Sequence, residues 1–117
     1  MPAQRPAESF IPLKPVEFQI LLSLAEGERH GYAITQDIAG RTVARMTIEP
    51  GNLYRSLSAM LDSGLIEESE RRPAPDRDDA RRRYYRITRL GRRVAMAETE
   101  RLSALVDEAR RRKLART

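Results

Sequence analysis

Apolar side chains recur at helical spacing near the start of the chain and predict two successive helices. The first covers about residues 15–26, and its strongly apolar residues are Phe18, Ile20, Leu21, Leu22 and Leu24. The second covers about residues 31–39 and places Ile34 and Ile38 on one face, four residues apart. The segment between them, with the sequence EGERHG, predicts a turn.

Two further helices are predicted from the same periodicity. In residues 50–63 one stripe faces a core, formed by Leu53, Leu57, Met60 and Leu61. The last helix covers about residues 89–113, where a narrower stripe is interrupted near Glu98 and Arg101. Its apolar members are Leu90, Val94, Ala97, Leu102, Leu105, Val106 and Ala109.

Period-two patterns predict the strands. The early part of LIEESERR should be extended, and RRRYYRIT at 81–88 alternates side chains as a strand does. Residues 73–80, with the sequence PAPDRDDA, are rich in turn formers, so the two strands form a hairpin with a long loop. Residues 44–48 are short and β-leaning. These elements predict an α+β, mainly helical fold.

The predicted helix ends carry residues suited to them. Pro15 and Pro50 fit first turns, where a missing N–H costs nothing. Gly40 and Gly64 fit the position just past a helix end, and Thr88 is a good N-cap for the last helix. Prolines 2, 6 and 12 indicate that residues 1–12 form a flexible arm.

The outward face of the third helix lacks the usual coat of Glu and Lys. Asp62 lies near its end, and its N-terminal half carries groups that can bond to base edges and phosphates: Asn52, Tyr54, Arg55 and Ser58. Gly51 allows another backbone to come close. With the helix ahead of it and the hairpin after it, this helix predicts a winged helix-turn-helix that reads the DNA major groove. The alternative is that Tyr54 only covers the apolar stripe, with its hydroxyl in water.

Charge is concentrated beside this helix. Residues 71–93 hold ten arginines and three aspartates, a net of +7, whereas the rest of the chain carries −2. Such a concentration indicates a polyanionic partner, and arginine suits phosphate better than lysine does. The alternative is a solvated arginine-rich loop. We predict that Arg72, Arg81, Arg82 and Arg83 contact DNA.

Composition argues against several other classes of protein. There is no cysteine and a single histidine, His30, so thiolate metal sites are excluded and no metal or other cofactor is expected. We expect His30 to be a turn or cap residue, or to lie near a phosphate. No phosphate loop or nucleophile motif is present, so an enzyme is not expected. The N-terminus does not resemble a signal peptide, and we expect a cytoplasmic protein without a membrane span.

Three segments together resemble the PadR family of bacterial transcriptional regulators: ILLSLAEGERHGYAITQDI, IEPGNLYRSLSAMLDSGLIE and RRRYYRITRLGRR. The resemblance covers about residues 13–110. It implies a winged helix-turn-helix at 13–88 that binds double-stranded DNA, is usually a repressor, and dimerises through the C-terminal helix, here within 89–117. Tyr32, in the HGY element, joins the predicted DNA-binding set.

The sequence departs from the family pattern in three places. Lys14 stands before the first proline where Ser or Thr is frequent, and the wing tip carries Asp76, Asp78 and Asp79, which phosphate repels. The chain also has no tryptophan, which some compact members use to bind flat aromatic compounds at the dimer centre. A small-molecule effector is therefore an open expectation, and the residues do not identify it.

The last helix is longer than a compact domain needs, so we expect it to pack against a second copy of the chain. The predicted homodimer contacts are Val94, Leu102, Leu105, Val106 and Ala109. The alternative is that the helix lies along its own domain or frays at its basic end. At the level of function, a protein-interaction module that uses Tyr54 and Arg55 is the main alternative, and RNA binding is a weaker one.

Overall fold

The computed structural model describes residues 5–41, 48–70 and 83–115. In these ranges a short 3-10 turn, Ala7–Phe10, precedes four α-helices and three short strands. The helices are α1, Pro15–Ala25; α2, Gly31–Arg41; α3, Pro50–Ser63; and α4, Arg89–Arg111. The strands are β1, Arg29–His30; β2, Ile66–Ser69; and β3, Tyr84–Ile87. The α+β, mainly helical architecture expected from the sequence is confirmed.

A three-stranded antiparallel sheet ties the hairpin to the helices. The strand order is β1-β3-β2, so β3 lies in the middle. On one side Ile66 pairs with Ile87 and Ser69 with Tyr84, and on the other Arg29 pairs with Tyr85. The hairpin strands were predicted. The strand β1 was missed, because a two-residue strand shows no periodicity and exists only through its pairing with β3.

One core joins the helices to the sheet. The stripe predicted on α3 is turned inward, with Leu53, Leu57 and Met60 buried and Leu61 packed against them. They meet buried side chains from α1, α2, the hairpin and the start of α4: Ile20, Leu21, Leu24, Ile34, Ile38, Leu65, Ile66, Tyr85, Leu90 and Val94. The first half of α4 therefore belongs to the same core as the helix-turn-helix.

Predicted helix ends are confirmed at α3 and α4. Gly64 adopts a left-handed conformation with φ 83°, and Leu65 N–H donates to the Met60 carbonyl at 3.0 Å, which is a Schellman ending. At α4 the Thr88 hydroxyl accepts from Gly91 N–H at 3.0 Å. The prediction for Gly40 is wrong. It lies inside α2, which continues to Arg41 because the Arg41 side chain is anchored on α1.

The N-terminal segment is packed rather than loose in the part that the structure describes. Ala7, Phe10 and Ile11 pack against the core, and Leu13 is buried. The prolines were interpreted as preventing regular structure, yet Pro6 leads into the 3-10 turn and accepts a hydrogen bond from Ser9 N–H at 2.9 Å. The turn lies against α4. The flexible arm predicted for residues 1–12 is therefore wrong for residues 5–12.

The predicted contacts on α4 divide into two groups. Val94 has no exposed surface within the single chain, so its assignment to a dimer interface is wrong: it is used in the core of its own subunit. Leu105 and Val106 are 55% and 44% exposed, and Leu102 and Ala109 are half-buried. The C-terminal half of α4 therefore carries apolar side chains that its own domain does not cover.

The β-leaning segment predicted at 44–48 lies mostly outside the described residues, as do the wing tip at 73–80 and the predicted site residues Arg72, Arg81 and Arg82. Of the first segment only Ile48 is described, and it is buried in the core immediately before α3. Among the described helices, none is long and apolar enough to cross a membrane.

Candidate nucleic-acid interface

The start of α2 is held by the single histidine. His30 lies just before the helix, and its Nδ1 accepts from Ala33 N–H at 3.2 Å, so His30 acts as the N-cap. The ring also meets Tyr84 of β3 edge-on, with centroids 5.3 Å apart. One of the predicted roles for His30, that of a cap residue, is confirmed. A backbone cap and a sheet contact are structural tasks, and they join α2 to the wing strand.

Gly31 explains how α3 approaches α2. A Cβ at this position would lie 3.2 Å from Tyr54 Oη and 3.3 Å from a ring carbon, which is tighter than ordinary van der Waals contact. The Tyr54 ring therefore lies directly on the first turn of α2. More than half of the Tyr54 side chain, 56%, is still exposed. Tyr54 thus packs the two helices together and also presents a surface to solvent.

The exposed face of α3 lies opposite the buried stripe. Gly51, Asn52, Arg55 and Ser58 are all exposed, together with Tyr54. Among the described residues, a Cβ at Gly51 would meet only the far end of Arg55 at 3.4 Å, so packing against this part of the chain does not require a glycine here. Glu49, which precedes Pro50, makes no side-chain capping hydrogen bond at this end. No other described residue therefore obstructs the outer side of the first turn of α3 at Gly51.

Tyr32 extends this surface onto α2. Its side chain is 61% exposed, and its hydroxyl accepts a hydrogen bond from Gln36 Nε2 at 3.0 Å. Because Tyr32 follows Gly31, on which the Tyr54 ring lies, the two tyrosines come from adjacent points of α2 and α3. The structure thus brings together the site residues predicted on two separate helices.

The wing contributes one described residue of the predicted set. Arg83 is exposed just before β3, and its Nε lies 3.8 Å from Glu68 Oε1 on the neighbouring strand. Nearer the base of the hairpin, Arg86 donates to Glu67 at 2.8 Å. Surface ion pairs of this kind contribute little stability, so pairing with Glu68 leaves the Arg83 charge available to a stronger anion.

A polar cluster that sequence reasoning missed fixes α2 against α1. Ser23 Oγ donates to Asp37 at 2.6 Å, and Arg41 donates to Asp37 at 2.9 Å, to Ser23 Oγ at 2.9 Å and to the Gln19 carbonyl at 3.1 Å. The Ser23 hydrogen bond lowers the pKa of Asp37, with further lowering by Arg41 and Arg29, against the opposing effect of burial. Two features of the sequence could have indicated this cluster: Ser23 interrupts the apolar run of α1, and Asp37 and Arg41 are four residues apart on α2.

This cluster sets the angle of the helix that carries Tyr32. Arg29, at the turn, also donates to the Ser23 carbonyl at 3.0 Å, so the segment between α1 and α2 is bound to the same point. Within the described ranges, no group of three or more His, Cys, Asp or Glu side chains could hold a metal ion. The predicted site residues described on α2, on α3 and beside β3 are glycine, side chains with hydroxyl or amide groups, aromatic rings and arginines.

Comparison with known proteins gives the following likenesses. Residues 20–97 match the family described as the transcriptional regulator PadR-like family. Over 73 residues the chain is 34% identical to an uncharacterized protein of Lysinibacillus sphaericus, covering 62% of this chain and 64% of that relative, less than two thirds of its length. A transcriptional regulator from Clostridium thermocellum superposes with a TM-score of 0.70 at 26% identity, over 82% of this chain and 87% of that one.

A further likeness concerns the fold alone. The Bacillus subtilis PadR protein, solved in complex with operator DNA, has a TM-score of 0.60 at 20% identity, over 72% of this chain and 47% of that chain. The family match covers most of the helix-turn-helix, the hairpin and the first half of α4. It confirms the resemblance that the sequence segments indicated.

Proposed function

Because this chain belongs to the PadR-like family of transcriptional regulators, we propose that it binds double-stranded DNA as a homodimer and represses transcription. In this proposal residues 13–88 read an inverted-repeat operator, and residues 89–117 supply the dimerisation helix and a basic tail. The protein acts in the cytoplasm, where its DNA is. The family consists of regulators rather than enzymes, so the surface around α3 is assigned to binding.

The exposed face of α3 is the observation that carries this proposal. Gly51, Asn52, Tyr54, Arg55 and Ser58 lie opposite the buried stripe, and no acidic residue occurs between residues 50 and 61. A major groove presents acceptors and donors that Asn and Arg side chains can bond in pairs. Gly51 at the helix start, which packing among the described residues does not require, leaves room for the DNA backbone.

Contacts to phosphate complete the site. Tyr32 lies on α2, which packs against α3, and Arg83 lies just before β3. Arg72, Arg81 and Arg82 flank the wing tip in the sequence. Such contacts set the register of a protein on the duplex and carry no sequence information by themselves. We assign Arg55 and Asn52 to base edges, and we assign the wing arginines to phosphates.

The uncovered half of α4 supports the proposed dimer. At 23 residues this helix is about 34 Å long, and Leu102, Leu105, Val106 and Ala109 lie beyond the core contacts of its first half. A symmetric pair of these helices covers those side chains and presents two copies of α3. The half-sites then form an inverted repeat about 34 Å, or about 10 base pairs, apart. An effector of unknown identity that re-angles α4 would misalign the two α3 helices and release DNA.

The first experiment sequences the genomic DNA that the purified protein retains and then measures binding to a retained fragment across a salt series. We expect affinity to fall by orders of magnitude between low and physiological salt, as phosphate contacts require. Arg55→Ala should cost about 1–3 kcal/mol on the retained sequence and relax its preference. Arg89→Ala, which removes the same charge from the start of α4, is the matched control for charge alone: any loss of affinity should be equal for all sequences, and the sequence preference should stay unchanged. A protein that retains no specific DNA but holds a protein partner through a salt-insensitive contact would favour the protein-interaction module instead.

The spacing of the half-sites is tested separately. An insertion of about five base pairs between them turns the half-sites to opposite faces of the duplex, whereas about ten base pairs restores the face. We expect the first insertion to abolish tight binding and the second to recover part of it. Undiminished binding after the half-turn insertion would contradict the symmetric dimer.

A further inference from the structure

Gln36 and Tyr32 form a hydrogen-bonded pair on the exposed face of α2. They are four residues apart, so their side chains lie on the same side of the helix, and Gln36 Nε2 donates to Tyr32 Oη at 3.0 Å. Both side chains are exposed, and Tyr32 is 61% so. Gln36 was not among the residues that the sequence indicated for DNA binding.

The direction of this hydrogen bond determines where the proton of the Tyr32 hydroxyl can point. A phenol carries one O–H donor and accepts through its oxygen lone pairs. Because the amide N–H of Gln36 occupies the oxygen as a donor, the hydroxyl proton must point away from Gln36. Accepting a hydrogen bond also polarises the O–H group and makes it a better donor. The pair therefore presents an oriented donor to whatever lies against α2.

We infer that Gln36 is a positioning residue that holds the Tyr32 hydroxyl as a donor to a DNA phosphate oxygen. The inference rests on the proposed function. The first helix of a helix-turn-helix crosses the phosphate backbone while the second enters the groove. Tyr32 occupies the corresponding place, at the start of α2, next to the glycine on which the Tyr54 ring lies.

A phosphate is the partner that suits this arrangement best. Its unesterified oxygens only accept hydrogen bonds, so a hydroxyl with its proton already turned outward loses less freedom on binding than a freely rotating one. Base edges offer acceptors and donors alike and do not require this orientation. Tyr32 also lies on α2, outside the exposed face of α3 that is assigned to bases.

The test is a double-mutant cycle on a mixed-sequence DNA duplex at low salt, because a phosphate contact does not depend on sequence. We expect Tyr32→Phe to weaken binding about 10-fold, since it removes a hydrogen bond to a charged group. Gln36→Leu should weaken it about 2- to 5-fold, because the hydroxyl remains but is no longer oriented. In the Tyr32→Phe background, Gln36→Leu should have no further effect. Gln36→Asn, which keeps the amide but shortens its reach, should behave as Gln36→Leu does.

Two readouts separate this role from a merely structural one. Neither residue is charged, so the slope of affinity against salt should stay that of the unmodified protein, whereas removal of an arginine should flatten it. Both side chains are exposed, so the melting temperature should not change. If the melting temperature of a variant falls so far that unfolding explains its weaker binding, the inference is overturned.

Failure of the inference is distinguishable from failure of the proposed function. If the unmodified protein binds no duplex at low salt, the proposed function itself is wrong. If it binds and Tyr32→Phe binds equally well, the hydroxyl contacts no phosphate. If Gln36→Leu weakens binding by the same factor with Phe at position 32, Gln36 contacts DNA directly and the positioning role is refuted.

Discussion

Glu98 offers the sharpest test of how α4 is attached to the rest of the molecule. This carboxylate is only 2% exposed, although it lies in a helix whose neighbouring residues are largely solvated. Its Oε2 accepts from Leu13 N–H at 3.1 Å, and Arg101 donates to both of its oxygens, at 2.6 and 2.9 Å. The interruption of the apolar stripe is therefore a polar contact that joins α4 to the segment leading into α1.

Replacing Glu98 by alanine removes the acceptor and leaves the buried Leu13 N–H without a partner. A hydrogen bond to a charged group contributes about 1.5–3 kcal/mol. The Arg101 side chain is about a third exposed, so its pairing adds only about 0.5–1 kcal/mol. We therefore expect Glu98→Ala to lower the free energy of unfolding by about 2–3 kcal/mol, because removing the buried charge also recovers part of its desolvation cost.

The measurement is chemical unfolding followed by circular dichroism, at one protein concentration, because association adds to the apparent stability. Glu100→Ala is the matched control, since Glu100 is exposed on the same helix; it should change stability by less than about 0.5 kcal/mol. Equal effects of the two substitutions would refute the structural role of the Leu13 contact.

The same contact has a defined pH dependence. The Arg101 hydrogen bonds lower the pKa of Glu98 below its ordinary value of 4.5, with a further lowering by Leu13 N–H, against the opposing effect of burial. A pKa that is lower in the folded state means that the stabilisation is complete above 4.5 and is lost as pH falls through the folded value. The gap between the unmodified protein and Glu98→Gln should therefore be widest at neutral pH and shrink in acid. A gap that grows in acid would contradict this assignment.

Three further predictions concern substitutions of Gly91, Leu105 and Asp37. Gly91→Ala would place a Cβ 2.1 Å from the Leu65 carbonyl oxygen, so we expect a loss of at least about 2 kcal/mol on chemical unfolding, and an unchanged stability would contradict that close approach. Leu105→Glu should convert a dimer into a monomer on light scattering, while Ala104→Glu, at an exposed position that is not three or four residues from any predicted contact, should not; a monomeric unmodified protein would end this claim. Asp37→Asn should cost about 1–2 kcal/mol in unfolding at neutral pH and less in acid, because hydrogen bonding lowers the pKa of the carboxylate, and a cost that does not vary with pH would contradict the cluster.

Features that depend on neighbours in the chain were predictable from the residues. The bounds of α3 follow from Pro50, from a stripe at helical spacing and from Gly64, and each acts within a turn of its own position. The Thr88 cap on α4 is equally local, since its partner is only three residues away. The hairpin strands were also visible, because alternation along a strand reflects which side chains face the core.

Features that depend on distant partners were not predictable in this way. Gly40 looked like a helix end, yet α2 continues because Arg41 is anchored to α1, 22 residues earlier. Val94 and Leu105 share the apolar character of the α4 stripe, and only packing against the winged domain separates the buried residue from the exposed one. Glu98 looked like a break in that stripe, but its partner Leu13 lies 85 residues away.

The candidate site likewise has features that the sequence predicts and features that only the tertiary structure determines. The unusual composition of the α3 face is a property of one helix, so Asn52, Arg55 and Ser58 could be selected from the sequence. The packing of Tyr54 on Gly31 and the orientation of Tyr32 by Gln36 arise where side chains meet in space. Periodicity specifies which side of a helix is apolar, whereas the distances between helices depend on how all of the apolar sides fill one core.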